Sequence, residues 1–495
     1  MKLFLLPDSH EWILFASIFV AISLFIVLAE ALRKHFNRSA EITRKLVHIL
    51  TGVLIFFAPQ LFQSGIPAIA LAVIFILVNF GAIRFGLLQG IHGTNRISYG
   101  TVYYPVSFLI LVLLFWDSAP YIISTSILVL AFGDAAAAIV GENITTPHTF
   151  YLTSDKKSVE GSVTMFFVSA LTVFVSLQYL SAGISGASAL SISIASALFV
   201  TAWEALSSRG FDNLTVPMSA AFVIHFLTVT HSSESGTSLY VGLFLGMVIA
   251  GISFYYKFLT HSGSVATFLL ATIIYGLGGW VWTIPIVTFF IASSIVSKLR
   301  ENKRKDLSAV FEKTDRRDEG QVAANGGVAG LLILLWYIFP DKTFLYELYL
   351  ASLSAVVADT WSTETGTLGK RKPRSIITGK TVPHGTSGGV SSIGFLGGIV
   401  GSFLVIGSAW LIAPDVVTAG VFTKLLIAGT IGSIVDSLLG AMVQSKYKTS
   451  QGIVTERPVT DTVQNTLIQG YRWIDNDIVN WGCAVAGAVS MYVML

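Results

Sequence analysis

The sequence predicts an all-α polytopic membrane protein with about sixteen transmembrane helices in two homologous halves of parallel orientation. Three observations support this fold class. Of 495 residues, 53% are hydrophobic and only 12% are charged, whereas about a quarter of the residues in an ordinary soluble domain are charged. Apolar runs long enough to span a bilayer recur along the whole chain. Basic residues are concentrated in alternate connections between these runs.

The apolar runs define the predicted helices. They cover residues 11–31, 46–62, 66–83, 103–116, 120–141, 161–179, 187–207, 216–230, 239–256, 263–278, 282–298, 321–340, 345–360, 387–412, 420–443 and 479–495. The runs 103–116 and 263–278 are short enough to be tilted, buried or re-entrant. The N-terminus lacks a signal-peptide cleavage pattern, so we expect the first run to be a retained helix. The single cysteine, Cys483, excludes an internal disulfide and a cysteine-based metal site.

The distribution of Lys and Arg predicts the orientation in the membrane. The connections that follow odd-numbered runs are basic, and the opposite connections contain no Lys or Arg apart from Lys342. Cytoplasmic loops carry an excess of positive charge. We therefore expect both termini outside, in a bacterial cytoplasmic membrane. Because the basic loops also hold nearly all the polar motifs, any active site should face the cytoplasm.

A weak internal duplication supports two domains. Asp134 precedes Gly161 by nearly the same spacing as Asp359 precedes Gly385. This alignment also puts His384 opposite Glu160. Further matches in the same order pair Glu204 with Asp436 and Asn213 with Asn476. We expect membrane domains at 1–232 and 236–495.

Carboxylates at the ends of apolar runs are the first candidates for chemistry. A charged group at bilayer depth costs about 2.5–3.5 kcal/mol or more unless it is paired or hydrated, so such acids are functional candidates. The alternative is that they are acids reaching out to the membrane surface. The candidate catalytic residues are Asp134, Glu160, Glu204, Asp359, Glu364 and Asp436. Glu142 follows the apolar run 120–141, which contains Asp134, but it is expected in a loop.

Basic residues beside these acids are candidate phosphate ligands, although charge that only sets the topology explains many of them. They are Arg44, Lys45, Lys157, Lys257, Arg316, Arg317, Lys372 and Lys380. Lys157 and Lys380 are favoured because glycine and hydroxyl groups follow them at the start of an apolar run, where helix N-terminal amides attract anions. His48 and His384 are as readily structural. Gly379-Lys-Thr381 is not a phosphate-binding P-loop, because Arg374 stands where the motif requires glycine.

Motifs in the first half resemble the phytol kinase family, a branch of the dolichol kinase and CDP-diglyceride synthetase-like membrane proteins. The matching stretches are Glu41-Ile-Thr-Arg-Lys-Leu-Val-His48, Arg96-Ile-Ser-Tyr-Gly-Thr101, Gly133-Asp-Ala135, Lys157-Ser-Val-Glu-Gly161 and Glu204…Gly210-Phe-Asp-Asn-Leu-Thr-Val-Pro217.

The second half resembles the phytyl-phosphate kinase family of integral membrane proteins. The matching stretches are Thr260-His-Ser-Gly263, Phe289-Phe-Ile-Ala-Ser-Ser294, Arg316-Arg-Asp-Glu-Gly-Gln-Val-Ala-Ala-Asn-Gly-Gly327, Ala358-Asp-Thr-Trp-Ser-Thr-Glu-Thr-Gly366, Thr378-Gly-Lys-Thr-Val-Pro-His-Gly-Thr-Ser-Gly-Gly389 and Asp436-Ser-Leu-Leu-Gly440.

These resemblances imply a bifunctional kinase that uses CTP to convert phytol or a related prenyl alcohol to its monophosphate and then to its diphosphate. We expect Mg²⁺ to be held, directly or through water, by Asp134 with Glu160 or Glu204 in the first half and by Asp359, Glu364 and Asp436 in the second; Asp134, Asp359 and Asp436 are the leading candidates. Further candidate nucleotide and phosphate ligands are Ser158, Gly161, Asp212, Asn213, Asn325, His384, Gly385, Thr386 and Asn476. The expected partners are prenyl lipids, CTP and membrane lipids, without nucleic acid. Two alternatives stay open: a CTP-dependent cytidylyltransferase that makes a CDP-lipid, and a lipid or ion transporter.

Overall fold

The computed structural model of this chain describes residues 2–36, 40–87, 98–181, 183–229, 233–303, 316–452, 454–460 and 463–495. The chain forms two compact units, Met1–Gly236 and Thr237–Leu495. Helices dominate both units, and the strands within the described ranges are at most four residues long. The assignment of one kinase-like domain to each unit stays a prediction.

The first unit is a bundle of helices with one small hairpin. Its helices are α1 (Ser9–Phe36), α2 (Ala40–Phe56), α3 (Ala58–Leu61), α4 (Ile66–Phe85), α5 (Gly100–Phe115), α6 (Pro120–Leu128), α7 (Ala135–Asn143), α8 (Val159–Leu180), α9 (Gly186–Leu206) and α10 (Asp212–Val229). A π-helical turn, Val129–Asp134, joins α6 to α7. The antiparallel hairpin of β1 (Thr149–Tyr151) and β2 (Lys156–Ser158) leads into α8.

The second unit is also a bundle of helices and contains more strands. Its helices are α11 (Ser233–Tyr255), α12 (His261–Lys303), α13 (Glu319–Ile338), α14 (Phe344–Leu368), α15 (Ser392–Ile412), α16 (Ala419–Met442) and α17 (Asn476–Val493). A two-stranded hairpin of β3 (Arg374–Ser375) and β4 (Gly389–Val390) precedes α15. Between α16 and α17 lie β5 (Lys446–Lys448), β6 (Val454–Thr455), β7 (Val459–Thr460), β8 (Val463–Gln464) and β9 (Thr466–Gln469). Strands β6, β5 and β9 form one sheet, and β7 pairs with β8.

Local sequence explains where these helices begin and break. The N-cap residues accept a backbone hydrogen bond from the first turn at the starts of α8, α9, α13, α15, α16 and α17; they are Ser158, Ser185, Asp318, Ser391, Thr418 and Asp475. Gly279 breaks α12 with φ 59° and ψ −153°, a backbone conformation that glycine adopts without a side-chain clash. The break separates the two apolar runs predicted on either side of it.

Many helices are apolar on both their inward and outward faces. In α8, Met165 and Val173 are fully buried, whereas Phe167 and Leu171 are more than 60% exposed. A helix that is hydrophobic all round is typical of a membrane span. Within the described residues, eleven helices are long and apolar enough to cross a membrane. The predicted all-α polytopic membrane fold is therefore confirmed.

Candidate active sites

The first unit contains a polar cavity of about 370 Å³. Its walls come from α2, α7, the β1–β2 hairpin, the start of α8, the end of α9 and the start of α10. The predicted site residues that line it are Arg44, Lys45, Asp134, Lys157, Ser158, Gly161, Glu204, Asp212 and Asn213. Residues far apart in the chain thus meet in one place, although their roles stay predictions.

Asp134 reaches this cavity from the last position of the π-helical turn. Such a turn widens the helix locally and is frequent at functional sites. Its neighbour Gly133 packs tightly on α8, because a Cβ there would lie 2.8 Å from the sulfur of Met165. The turn therefore presents a carboxylate to the cavity while the adjoining glycine lets two helices approach closely.

Lys157 is the central cation of the first cavity. Its ammonium group forms an ion pair with Glu204 and lies 3.9 Å from Asp212. Burial by itself would lower the pKa of Lys157, but Glu204, Asp212 and Asp134 together raise the pKa above its ordinary value. Lys157 is therefore charged at neutral pH and neutralises part of a cluster that is rich in carboxylates.

A second ion pair closes another side of the same cavity. The ammonium of Lys45 lies 2.7 Å from a carboxylate oxygen of Glu142, and the Lys45 side chain is only 10% exposed. Glu142 also lines the cavity, although the sequence placed it in a loop rather than at a site. It is the last-turn acid of α7 and joins that helix to α2.

Glu160 is not among the residues that line this cavity. Its carboxylate accepts hydrogen bonds from the backbone N–H of His148, and one of its oxygens lies 2.7 Å from the Nδ1 of the same histidine. These contacts tie the residue that precedes β1 to the first turn of α8. The structure thus gives Glu160 a structural contact and does not bring it together with Asp134 in the cavity.

The second unit contains a polar cavity of about 220 Å³. The predicted site residues that line it are Arg317, Asn325, Asp359, Glu364, His384, Gly385, Thr386, Asp436 and Asn476. The long polar stretch after residue 357 contributes to two walls, since α14 continues through it to Leu368 and the β3–β4 connection returns to the cavity. Asp359 and Gly366 both lie on α14.

Asp359 and Asp436 meet across this cavity. Asp359 lies on α14 and Asp436 on α16, and their carboxyl groups interact with each other in the cavity. The Oδ2 atom of Asp436 is buried and has no hydrogen-bond partner in the described part of the chain. Two adjacent carboxyl groups with an unsatisfied oxygen are a donor set that a divalent cation would complete.

This pair fits magnesium bound together with a nucleotide. Among the described residues there is no group of three or more His, Cys, Asp or Glu side chains that could hold a metal alone. Mg²⁺ does not require such a cage, because it is usually held by one or two carboxylates, several waters and the phosphates of the substrate. Asp359 and Asp436 satisfy that requirement.

Glu364 is fixed by partners that the sequence did not indicate. One carboxylate oxygen lies 2.9 Å from Arg300, and the other accepts a hydrogen bond of 2.8 Å from Ser297. Both partners are on the last turns of α12 and line the cavity. Glu364 is therefore paired with an arginine whose side chain is only 12% exposed.

Arg317 is held against two aromatic rings of α12. Its guanidinium carbon lies 5.6 Å from the ring centre of Phe289 and 5.3 Å from that of Phe290. Burial lowers the pKa of Arg317 to about 10, and Glu364 acts in the opposite direction. Arg317 is therefore a cation at neutral pH and can attract an anionic group.

Four predicted phosphate ligands lie away from the cavity wall. Lys257, Arg316, Lys372 and Lys380 are exposed and are not among the residues that line it. The sequence favoured Lys380 because glycine and hydroxyl groups follow it. In the structure it lies in the β3–β4 connection, where its carbonyl oxygen accepts a hydrogen bond from Ser375.

Other lining residues were missed by sequence reasoning. Ser387 donates a hydrogen bond to Glu456, and the ammonium of Lys446 donates one of 3.1 Å to the carbonyl oxygen of Ser387. Burial lowers the pKa of Lys446, and Glu456 opposes this shift. These contacts attach the region of strand β5 to the β3–β4 connection. No periodic pattern marked them, because the sheet has no counterpart among the described residues of the first unit.

In each unit a pair of closely packed helices lies beside the cavity: α7 and α8 in the first unit, and α14 and α15 in the second. A Cβ at Gly141 would lie 2.7 Å from the hydroxyl of Ser158 and 3.8 Å from the Cα of Gly161. A Cβ at Gly366 would lie 3.1 Å from the hydroxyl of Ser391 and 3.5 Å from the Cα of Gly394. In each unit a serine caps the second helix, and two facing glycines let it approach the helix that carries the aspartate.

This geometry corrects the predicted alignment of the halves. Gly394, not Gly385, occupies the position of Gly161, so the pairing of His384 with Glu160 is wrong. The error arose because residues 376–388 connect the second hairpin, whereas residues 152–155 connect the first. Matching by spacing alone counted the longer connection as part of the repeat.

An apolar cavity adjoins each polar one. In the first unit it has a volume of about 80 Å³ and shares Arg44, His48 and Thr101 with the polar cavity. In the second it has a volume of about 70 Å³ and shares Arg317, Gln321 and Asn325. Each site therefore offers charged groups on one side and hydrocarbon on the other, with an arginine between them.

Comparison with known proteins identifies the family. Residues 244–488 match the family described as integral membrane protein DUF92. Protein PGR of Arabidopsis thaliana is 31% identical over 269 residues, which is 49% of this chain and 91% of that protein. This chain belongs to the DUF92 family. The match lies within the second unit and includes Asp359 and Asp436.

Other relatives of this DUF92 protein carry informative names. A phytol kinase of Synechocystis is 30% identical over 201 residues, covering 40% of this chain and 84% of that protein. The chloroplastic protein VTE6 of Arabidopsis thaliana is 24% identical over 226 residues, covering 45% of this chain and 61% of that protein. No solved structure matches. Each of these relatives covers less than half of the chain, so the fusion of two activities stays a prediction.

Proposed function

We propose that this protein is a membrane-embedded prenyl lipid kinase with two active sites. The first unit phosphorylates phytol or a related prenyl alcohol, and the second phosphorylates the resulting monophosphate to the diphosphate. Both use CTP with Mg²⁺ and face the cytoplasm. The observation that carries the proposal is the junction in each unit between a cavity lined with carboxylates and cations and an apolar cavity. The similarity to a phytol kinase supports the substrate class.

In the first unit, Asp134 and Asp212 are the carboxylates assigned to Mg²⁺, because Glu204 is in direct contact with Lys157 whereas Asp212 lies farther from that ammonium, at 3.9 Å. Arg44 and Lys45 provide positive charge for the nucleotide phosphates. Phosphoryl transfer depends chiefly on positioning and on stabilisation of charge at the transferred group. These residues supply both, and the apolar cavity receives the proximal part of the lipid.

In the second unit, Asp359 and Asp436 would hold Mg²⁺, which neutralises developing charge on the transferred phosphoryl group. Arg300 and Arg317 are the cations that line this cavity. Arg317 lies at the junction with the apolar cavity, where it can bind the phosphate of a lipid monophosphate. That position suits an acceptor that is already an anion.

The direct test is a transfer assay on purified protein in detergent with CTP labelled on its γ-phosphate. Phytol, farnesol and geranylgeraniol serve as acceptors, and lipid products are separated chromatographically. The proposal predicts label in a lipid monophosphate and then in a diphosphate, dependent on Mg²⁺. Label released in pyrophosphate, with the cytidylyl (CMP) group transferred to the lipid, would identify a cytidylyltransferase. No consumption of CTP with any of these alcohols would refute the kinase proposal and favour transport.

A further inference from the structure

The boundary between the two cavities of the first unit contains unsatisfied polar atoms. Nε2 of His48, Oγ1 of Thr51 and the phenol oxygen of Tyr104 are buried, and none has a hydrogen-bond partner in the described part of the chain. All three residues line the apolar cavity. A buried polar group without a partner is costly and rare in folded proteins. Three in one cavity wall indicate that a ligand completes them.

The three groups lie close together. The rings of His48 and Tyr104 are 4.4 Å apart between centres and meet edge to face at 66°. Thr51 follows His48 by one helical turn, so both project from the same side of α2. Gly52 leaves room beside Tyr104, because a Cβ there would lie 3.0 Å from the phenol oxygen. Thr51 is 8% and Tyr104 is 7% exposed, so neither is satisfied by bulk solvent.

The chemistry of this cluster matches a neutral hydroxyl group. An alcohol both donates and accepts hydrogen bonds, and the cluster combines an imidazole with two hydroxyl groups, which can serve in either role. Neither Lys nor a carboxylate is among the described residues that line this cavity; Arg44 is its charged member. The remaining wall is largely aliphatic and aromatic, including Ile22, Ile55, Leu71, Phe75 and Phe108.

We propose that His48, Thr51 and Tyr104 form the binding site for the hydroxyl group of the prenyl alcohol. The first carbons of the lipid occupy the apolar cavity, and the hydroxyl oxygen is held at the edge of the polar cavity that contains Asp134. This inference rests on the proposed function of the first unit and specifies how its acceptor is recognised. The three residues are acceptor-binding residues and do not contact the nucleotide.

The kinetic test compares variants of the full-length protein. Tyr104→Phe, Thr51→Val and His48→Leu each remove one polar group, and each is expected to raise the KM for geranylgeraniol about 3- to 10-fold, the loss of one hydrogen bond. The KM for CTP is expected to remain unchanged. His48→Gln should restore part of the loss. Tyr121→Phe is the matched control, because Tyr121 bonds Thr228 elsewhere in the same unit.

An equal rise in both KM values, or no change in either, would overturn the assignment while leaving the kinase proposal intact. A binding measurement covers the case in which the kinase proposal itself fails. Geranylgeraniol carrying a photoreactive diazirine near its hydroxyl should label α2 and α5 without nucleotide, and Tyr104→Phe should reduce that labelling. Labelling confined to other helices, or unaffected by Tyr104→Phe and His48→Leu, would contradict the inference.

Discussion

The carboxyl groups of Asp359 and Asp436 interact with each other in the second cavity although they come from different helices, α14 and α16. Two adjacent carboxylates repel each other unless positive charge lies between them. A divalent cation would supply that charge and draw ligands from both side chains. The contact therefore links the second cavity to metal-dependent chemistry.

Metal binding tests this relationship without an activity assay. Mn²⁺, a paramagnetic substitute for Mg²⁺, should bind the wild-type protein in the presence of CTP and give an altered electron paramagnetic resonance signal. Loss of a residue that only supports a metal ligand weakens metal affinity by about 10- to 100-fold, so loss of a direct ligand should weaken it at least as much. Because a first-unit site would also bind Mn²⁺, the measurement is made in an Asp134→Asn background, where Asp436→Asn should abolish most of the remaining binding. Unchanged binding would remove Asp436 from the site.

The buried ion pair of Lys157 and Glu204 predicts a coupled effect on stability. Lys157→Met alone leaves the buried carboxylate of Glu204 without its partner, which typically costs about 3 kcal/mol or more. Glu204→Gln should cost less, because Lys157 keeps Asp212 at 3.9 Å. The double variant removes both charges and should destabilise the protein less than Lys157→Met alone. Thermal unfolding in detergent measures all three. Additive losses in the double variant would show that the pair is not an energetic unit.

The stability that Lys157 contributes should not change with pH over the usual working range. Because the pKa of Lys157 is raised above 10.5 in the folded protein, its favourable contribution is fully present below pH 10.5 and is lost only as the pH rises through the folded pKa. The difference in melting temperature between wild type and Lys157→Met should therefore stay constant from about pH 6 to pH 9. A steep decline within that interval would contradict the assigned direction of the shift.

Two glycines of α15 provide a matched test of the close helix contact. A Cβ at Gly394 would lie 2.6 Å from the carbonyl oxygen of Ser362, whereas a Cβ at Gly407 meets no atom within 4 Å. Gly394→Ala should therefore destabilise the protein by about 1–3 kcal/mol through overpacking. Gly407→Ala should be neutral or stabilise by up to about 1 kcal/mol. Equal melting temperatures for the two variants would show that α14 and α15 are not tightly packed.

Much of this architecture follows from simple sequence patterns. The length of the apolar runs predicted where the helices lie, because a bilayer requires about twenty apolar residues for a span. Because a charge within the membrane is costly, Asp134, Asp359 and Asp436 were predicted to be functional. Each of them lines a polar cavity. Gly141 and Gly366 lie seven residues after Asp134 and Asp359, which places each pair on one face of a helix.

Other features depend on contacts that no local pattern encodes. Arg300 pairs with Glu364, and Glu456 bonds Ser387, across long separations in the chain. Lys380 has favourable neighbours in the sequence, but its direction is set by the conformation of the β3–β4 connection. Periodicity reports which residues face inward, whereas it does not report which inward residues meet.

The most direct test supplies the alcohol and the lipid monophosphate separately to purified full-length variants. Asp134→Asn is expected to lose phosphorylation of the alcohol by at least about 100-fold, as expected when electrostatic stabilisation of the transferred group is removed, and to retain phosphorylation of the monophosphate. Asp359→Asn is expected to show the reverse. Loss of both activities in either variant, with its melting temperature unchanged, would contradict the account of two independent sites.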